Sequence, residues 1–151
     1  MEEPRTLAEF FVPGVPAPGG SKTGFRHPST GRVIVKEDCK RTPGWRACVA
    51  LAARDAYRGE PSTRPIQFAV TFLLPRPKGH YGSGKNAAKL KPSAPRRHTV
   101  KPDALKLTRS TEDALTGILW RDDAQIVYEV IGKEWTTGQA GAHILVVELH
   151  P

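Results

Sequence analysis

Between residues 66 and 74 the chain places Ile66, Phe68, Val70, Phe72 and Leu74 at every second position, a period of two that turns one set of side chains toward one face of a sheet. The β-forming residues in this stretch predict a buried strand, and Pro75 stops it. A different period governs residues 43–58, where Trp45, Cys48, Val49, Ala52, Ala53 and Ala56 recur at three- and four-residue steps. With Pro43 suited to a helical first turn and Gly59 to a stop, this spacing predicts a helix. After Pro102 a second helix is predicted over about residues 104–116, turning Leu107, Thr111, Ala114, Leu115 and Ile118 toward one side, with Gly117 closing it. Shorter apolar runs predict the remaining strands. Phe10-Phe11-Val12 is cut off by Pro13-Gly14, Gly31-Arg32-Val33-Ile34-Val35 offers a brief strand that could hairpin with a neighbour, and residues 124–131 and 143–149 are two further strands joined across Gly132 to Gly141. Residues 16–32 read as a loop. The resulting order β, β, α, β, long loop, α, β, β predicts one small α+β domain, a mixed sheet with two helices packed on one face.

At 151 residues the chain is long enough to bury about two-thirds of its unfolded surface without a disulfide or metal staple. Cys39 and Cys48 lie nine apart, match no C-x-x-C pattern, and read as reduced. No apolar run approaches the roughly 20 residues of a membrane span, and Met1-Glu2-Glu3-Pro4 lacks the blocks of a signal peptide, so a soluble cytoplasmic protein without membrane contact is expected. Charge changes the picture more. The formal net charge is +8, which favours a polyanionic partner. Residues 76–101 carry Arg76, Lys78, Lys85, Lys89, Lys91, Arg96, Arg97 and Lys101 and no acid, which is enough to supply the whole excess. Rich in proline and glycine and poor in apolar side chains, this segment is expected to be a flexible basic loop that orders on a partner.

Chemistry based on a side-chain nucleophile has little support. The five histidines, His27, His80, His98, His143 and His150, show no metal-finger spacing, there is no G-x-S-x-G elbow, and Gly19-Gly20-Ser21-Lys22 lacks the first glycine of a phosphate loop. The carboxylates are more telling, because Asp103, Glu112, Asp113, Asp122 and Asp123 follow directly on the basic run. Acids would repel a phosphate backbone unless a divalent cation bridges them, and Mg²⁺ is held by one or two carboxylates together with phosphate oxygens. Against this stands a purely structural reading: Asp103 as a helix N-cap, Glu112 paired with Arg109, and Asp122-Asp123 as a turn.

The residues Lys101-Pro102-Asp103-Ala104-Leu105-Lys106-Leu107-Thr108-Arg109, followed by Asp113-Ala114-Leu115-Thr116-Gly117 and Asp122-Asp123-Ala124-Gln125-Ile126, tip the balance. This sequence resembles the RusA family of Holliday junction resolvases, whose pattern runs K/R-P-D-x-D-N/K-L-x-K/R, then D-A-L, then D-D-x-Q-I/V. Upstream, Val12-Pro13-Gly14-x-Pro16 and the Trp45-Arg46 helix look like the phage-type branch. The resemblance implies a homodimeric endonuclease that needs Mg²⁺, with Mn²⁺ as a substitute, and nicks four-way DNA junctions symmetrically. It implies that Asp103 and Asp123 are catalytic and bind the metal, with Asp122 beside them, and that Arg109 takes the place of a catalytic Lys or Arg. Lys101, Lys106, Arg96, Arg97, Lys89 and Lys91 would then contact DNA phosphates, mostly to position the duplex and not to read its sequence.

The chain departs from the family at Leu105, where the pattern has its second aspartate, and a leucine cannot ligate Mg²⁺. Two explanations compete: a degenerate site that binds junctions without cutting them, or compensation by a nearby acid. Glu112 shares a helix face with Leu105 and Arg109 at i, i+4 and i+7, although it stands about 10 Å up the axis from Leu105. Asp113 and Asp122 are the other candidates. Outside these two explanations lie a non-catalytic nucleic-acid-binding protein and a nuclease for flaps, forks or RNA.

Overall fold

The computed structural model describes residues 2–19, 22–26, 33–37 and 42–151. Its elements follow the chain as β1 (Arg5–Pro13), β2 (Lys22–Arg26), β3 (Val33–Glu37), α1 (Thr42–Ala56), β4 (Ile66–Pro75), α2 (Ala104–Leu115), β5 (Ile126–Thr136) and β6 (Gly141–Glu148). Four strands form one sheet in the order β1, β6, β4, β5, while β2 and β3 pair as a separate antiparallel hairpin. The sheet is mixed: β6 runs antiparallel to both β1 and β4, and β4 runs parallel to β5. A parallel pair needs a crossover, and the chain between β4 and β5 contains the basic segment and α2.

Strand β4 occupies the middle because its period-two face is the most continuous apolar run in the chain. Ile66, Phe68, Val70, Phe72 and Leu74 are all buried. The register sets Phe68 beside Val146 and Glu129, Val70 beside Ile144 and Ile131, and Phe72 beside Ala142 and Lys133. Onto this face α1 brings Trp45, Val49 and Ala53, and α2 brings Leu107, Thr111 and Leu115, each set spaced by four residues. The two helices are tied by a buried hydrogen bond in which Trp45 Nε1 donates to Thr111 Oγ1 at 3.1 Å, since a buried indole N–H needs an acceptor. Trp120 closes the core edge-on to Phe68, 5.6 Å between ring centres, and donates to Thr116 Oγ1. Gly117, at φ 91°, takes the left-handed conformation just beyond the helix end, where glycine carries no Cβ penalty.

The α+β domain with a mixed sheet and two helices is what the periodicities lead one to expect. Three departures from the predicted elements have a non-local reason, while the other ends move by one or two residues. β1 begins at Arg5, ahead of the apolar burst, because β6 pairs along its whole length, and Arg5 and Glu148, opposed in register, form an ion pair at 2.9 Å. β2 lies inside the stretch read as a loop, ordered by its pairing with β3. β5 runs past Gly132 to Thr136, because β4 offers partners as far as Pro75. Cys48 is a free thiol, and Cys39 lies outside the described residues.

The basic segment takes a defined path. Two short 3-10 turns, Lys78–His80 and Gly84–Asn86, are followed by an isolated bridge between Tyr81 and Leu90. Composition alone predicts no such path. The anchor comes from elsewhere in the sequence, from Trp135 and Lys133 on β5, as set out below.

Candidate functional site

Helix α2 organises the acids, and its two ends are built differently. At the first end Asp103 is the N-cap: its Oδ1 accepts hydrogen bonds from the backbone N–H of Leu105 at 2.9 Å and of Lys106 at 3.3 Å. Among the described residues only Oδ1 is engaged, which leaves Oδ2 for a ligand. Lys133 holds the chain leading into this cap, donating from Nζ to the carbonyls of Val100 at 2.6 Å and Pro102 at 2.8 Å. Lys101, Lys106 and Arg109 are exposed around it. Leu105 is 68% exposed, an apolar side chain on the surface where the family pattern has a carboxylate.

Beyond the other end, Asp122 and Gln125 form a latch. Asp122 Oδ1 accepts from the Ala124 N–H, Gln125 Oε1 accepts from the N–H groups of Arg121 and Asp122, and Gln125 Nε2 donates to the carbonyls of Ser62 and Arg64. The D-D-x-Q sequence is therefore a capping box that fastens the entry to β5 against the entry to β4. Asp122 engages Oδ1 in that turn. Asp123 does not, and it lines a cleft of about 550 Å³ together with Glu112, Ala124, Ile126, Val127 and Glu129. Glu129 is exposed as a whole residue, yet its carboxyl is desolvated enough to raise its pKa above the ordinary glutamate value.

The structure thus sets Glu112 and Asp123 on the wall of one cleft. It does not bring Asp103 to Asp123: nine helical residues, about 13 Å of axis, separate Asp103 from Glu112. The strand gives the same result independently, because Lys133, which grips the Asp103 end, lies seven residues, about 23 Å, beyond the start of β5. Among the described residues no three His, Cys, Asp or Glu side chains converge closely enough to hold a metal. Asp113 is tied to Arg46 of α1 at 3.1 Å and serves the helix pair. Arg109 and Glu112 form no ion pair with each other. Sequence reasoning missed Glu129, whose signal was an acid on the otherwise apolar period of Val127 and Ile131.

Asp123 and Glu112 fit a hard divalent cation by the chemistry of their donors. Both offer carboxylate oxygens, and an ion of the Mg²⁺ class needs only one or two of these when phosphate oxygens complete its shell. The basic residues of the arm do not line this cleft. Lys89, Lys91, Arg96 and Arg97 are exposed along the arm that ends at Asp103. Among the described residues no helix is long and apolar enough to cross a membrane.

The molecule is a small α+β domain with an acidic cleft and, separate from it, an exposed cationic arm. The comparison with protein families gives that class a name: the chain belongs to the RusA endodeoxyribonuclease family, whose model matches residues 13–147. The uncharacterized protein YqaN of Bacillus subtilis (strain 168) is 30% identical over 128 residues, covering 83% of this chain and 85% of its own.

Proposed function

We propose that this protein is a divalent-metal-dependent endonuclease that resolves four-way DNA junctions in the cytoplasm as a homodimer. The observation that carries the reading is the meeting of Glu112 with Asp123 in one cleft, in a chain of a DNA-cutting family that lacks the second motif aspartate. Bound there, Mg²⁺ would acidify a water and offset charge on the phosphate. The chain's own groups do the rest. Asp123 and Glu112 hold the carboxylate side of the site, and Gln125 and Asp122 keep Asp123 aimed by fixing its turn. Arg109, exposed one turn before Glu112, faces charge that builds on the scissile phosphate. Lys101, Lys106 and the arm position the backbone.

Two symmetric cuts call for two equivalent sites, and a two-fold dimer is the simplest closed arrangement. Strand β5 supports this, because it is a sheet edge on which Val127, Tyr128 and Val130 are 53%, 64% and 60% exposed. Monomers usually protect such edges with charge, proline or a bulge. Both edges carry such devices, Arg5, Glu9, Pro13 and an irregularity between Thr6 and Ala8 on β1, and Glu129, Lys133, Glu134 and an irregularity opposite Ile66 and Gln67 on β5, but β5 also exposes its three large apolar side chains. A two-fold axis beside β5 would set the start of one strand against the end of its partner. The Asp103 end of one chain would then approach the acidic cleft of the other.

The test is cleavage of a synthetic mobile four-way junction with Mg²⁺, with Mn²⁺ and with chelator. Paired nicks at symmetric positions that need the metal are expected. Tight junction binding with no cleavage under any of these conditions would instead establish a junction-binding protein disabled at Leu105.

A further inference from the structure

Trp135 lies near the end of β5, opposite Leu74 of β4, and takes no part in the acidic cleft. Its ring meets three side chains of the basic arm. His98 lies tilted against it at 4.0 Å between ring centres, His80 stands edge-on at 4.9 Å, and the Arg76 guanidinium sits 5.7 Å from the ring centre. Trp135 Nε1 donates to the Arg97 carbonyl at 3.1 Å. The two limbs of the arm are joined at the same place, since Arg76 Nη1 donates to the Pro95 carbonyl at 2.7 Å and the Lys91 N–H to the His80 carbonyl at 2.9 Å. Of residues 76–101 only His98 is buried, at 6% exposure. Residues 83–93 are exposed throughout.

An arm of this composition cannot order itself, because fixing each residue costs about 1–2 kcal/mol and the segment has almost no apolar area to set against it. An aromatic ring supplied by another element changes this at the root. A polar surface held in place before binding loses less entropy when it meets its partner.

Resting on the reading of the protein as a DNA-cutting enzyme, we propose that Trp135 is a positioning residue for DNA. It clasps the root of the basic arm through His80, His98, Arg76 and the Arg97 carbonyl, so that Lys78, Arg96 and Arg97 meet the phosphate backbone preformed. The tip at residues 83–93, turned through Gly84–Asn86 and exposed throughout, presents Lys85, Lys89 and Lys91 beyond that root.

The experiment compares full-length wild type, Trp135→Ala and Trp135→Phe. Without DNA, trypsin is expected to cut after Arg96 and Arg97 about tenfold faster in Trp135→Ala, and at an intermediate rate in Trp135→Phe, which keeps a ring but loses the N–H. Junction affinity in chelator should weaken about tenfold in Trp135→Ala, with a shallower salt dependence as phosphate contacts are lost. At saturating junction its cleavage rate should stay within about twofold of wild type, a separation of KM from kcat that general unfolding would not produce. Equal trypsin rates in all three proteins would overturn the clasp. A freed arm with unchanged junction affinity would overturn its role in DNA positioning while leaving the enzyme assignment standing. Should Trp135→Ala not fold, Trp135→Phe carries the same test with smaller changes. Wild type that binds no DNA would defeat the enzyme reading itself, a failure visible before any variant is made.

Discussion

Asp103 has a structural duty and a proposed catalytic one, and a pair of substitutions separates them. As N-cap it accepts two backbone N–H bonds through Oδ1. Asparagine keeps a side-chain oxygen and caps about as well as aspartate, so Asp103→Asn loses chiefly the charge–dipole contribution, about 0.3–1 kcal/mol at an exposed helix start. Asp103→Ala loses the cap as well, typically about 1 kcal/mol and up to about 2. For a chain of this length about 1 kcal/mol corresponds to roughly 2–4 °C in Tm, so thermal unfolding should rank wild type, then Asn, then Ala within a few degrees. Cleavage should not follow that ranking. If the carboxylate acts at the phosphate, both variants should lose at least a hundredfold in rate, about 2.7 kcal/mol of barrier, despite their different stabilities. Junction binding by Asp103→Asn should be unchanged or tighter, because a negative charge next to exposed Lys101 and Lys106 has been removed. The assay is single-turnover nicking of a labelled junction beside a melting curve for each protein. Wild-type cleavage by Asp103→Asn, with any loss in Asp103→Ala proportional to its lost stability, would reduce Asp103 to a helix cap.

Glu112→Gln should leave Tm and junction affinity unchanged yet cut cleavage by orders of magnitude, as should Asp123→Asn; near-normal nicking by the Glu112 variant would move the search to Asp113 and Asp122. Val130→Lys, placing charge in the exposed apolar run of β5, should shift the protein to monomer in sedimentation velocity while changing the stability of the folded chain by no more than about 0.5 kcal/mol, as expected for a surface site; a persistent dimer would place the interface elsewhere. Acid should open the arm. Burial, then the Lys133 ammonium, pushes the pKa of His98 below the ordinary histidine value, and the other cationic or titratable groups around the Trp135 ring are Arg76 and His80. Because the closed arm holds His98 neutral and the open arm takes up a proton, the clasp is at full strength above about pH 6.5 and weakens as pH falls through the lower folded value. Faster trypsin-like cutting after Arg96 and Arg97 at pH 5.5 than at pH 7.5, corrected for protease activity on a peptide, checks this; equal rates would show that His98 does not control the arm.

What the sequence by itself determined is local. The period of two in β4, the three- and four-residue spacing in α1 and α2, the cap at Asp103 and the turn at Asp122-Asp123 all depend on residues within a few positions of one another, which is the range over which a helix or turn satisfies its own backbone. The family motif is legible for the same reason, since it spans one contiguous stretch of chain. Tertiary structure alone decided which of those residues meet. Pairing with β6 lengthened β1 to Arg5, and parallel pairing with β4 carried β5 past Gly132 to Trp135. Once β5 reached that far, its indole ring could hold a basic arm that composition marks as unable to order itself. The acids divided in the same way. Sequence proximity groups Asp103 with Asp123, but α2 runs on from Asp103 as a rigid rod, so Asp123 lines one cleft with Glu112 and Glu129 while Asp103 stands at the far end of the helix beside Lys133. Register and crossover direction arise from contacts between residues far apart in the chain, and no periodicity within a single segment encodes them.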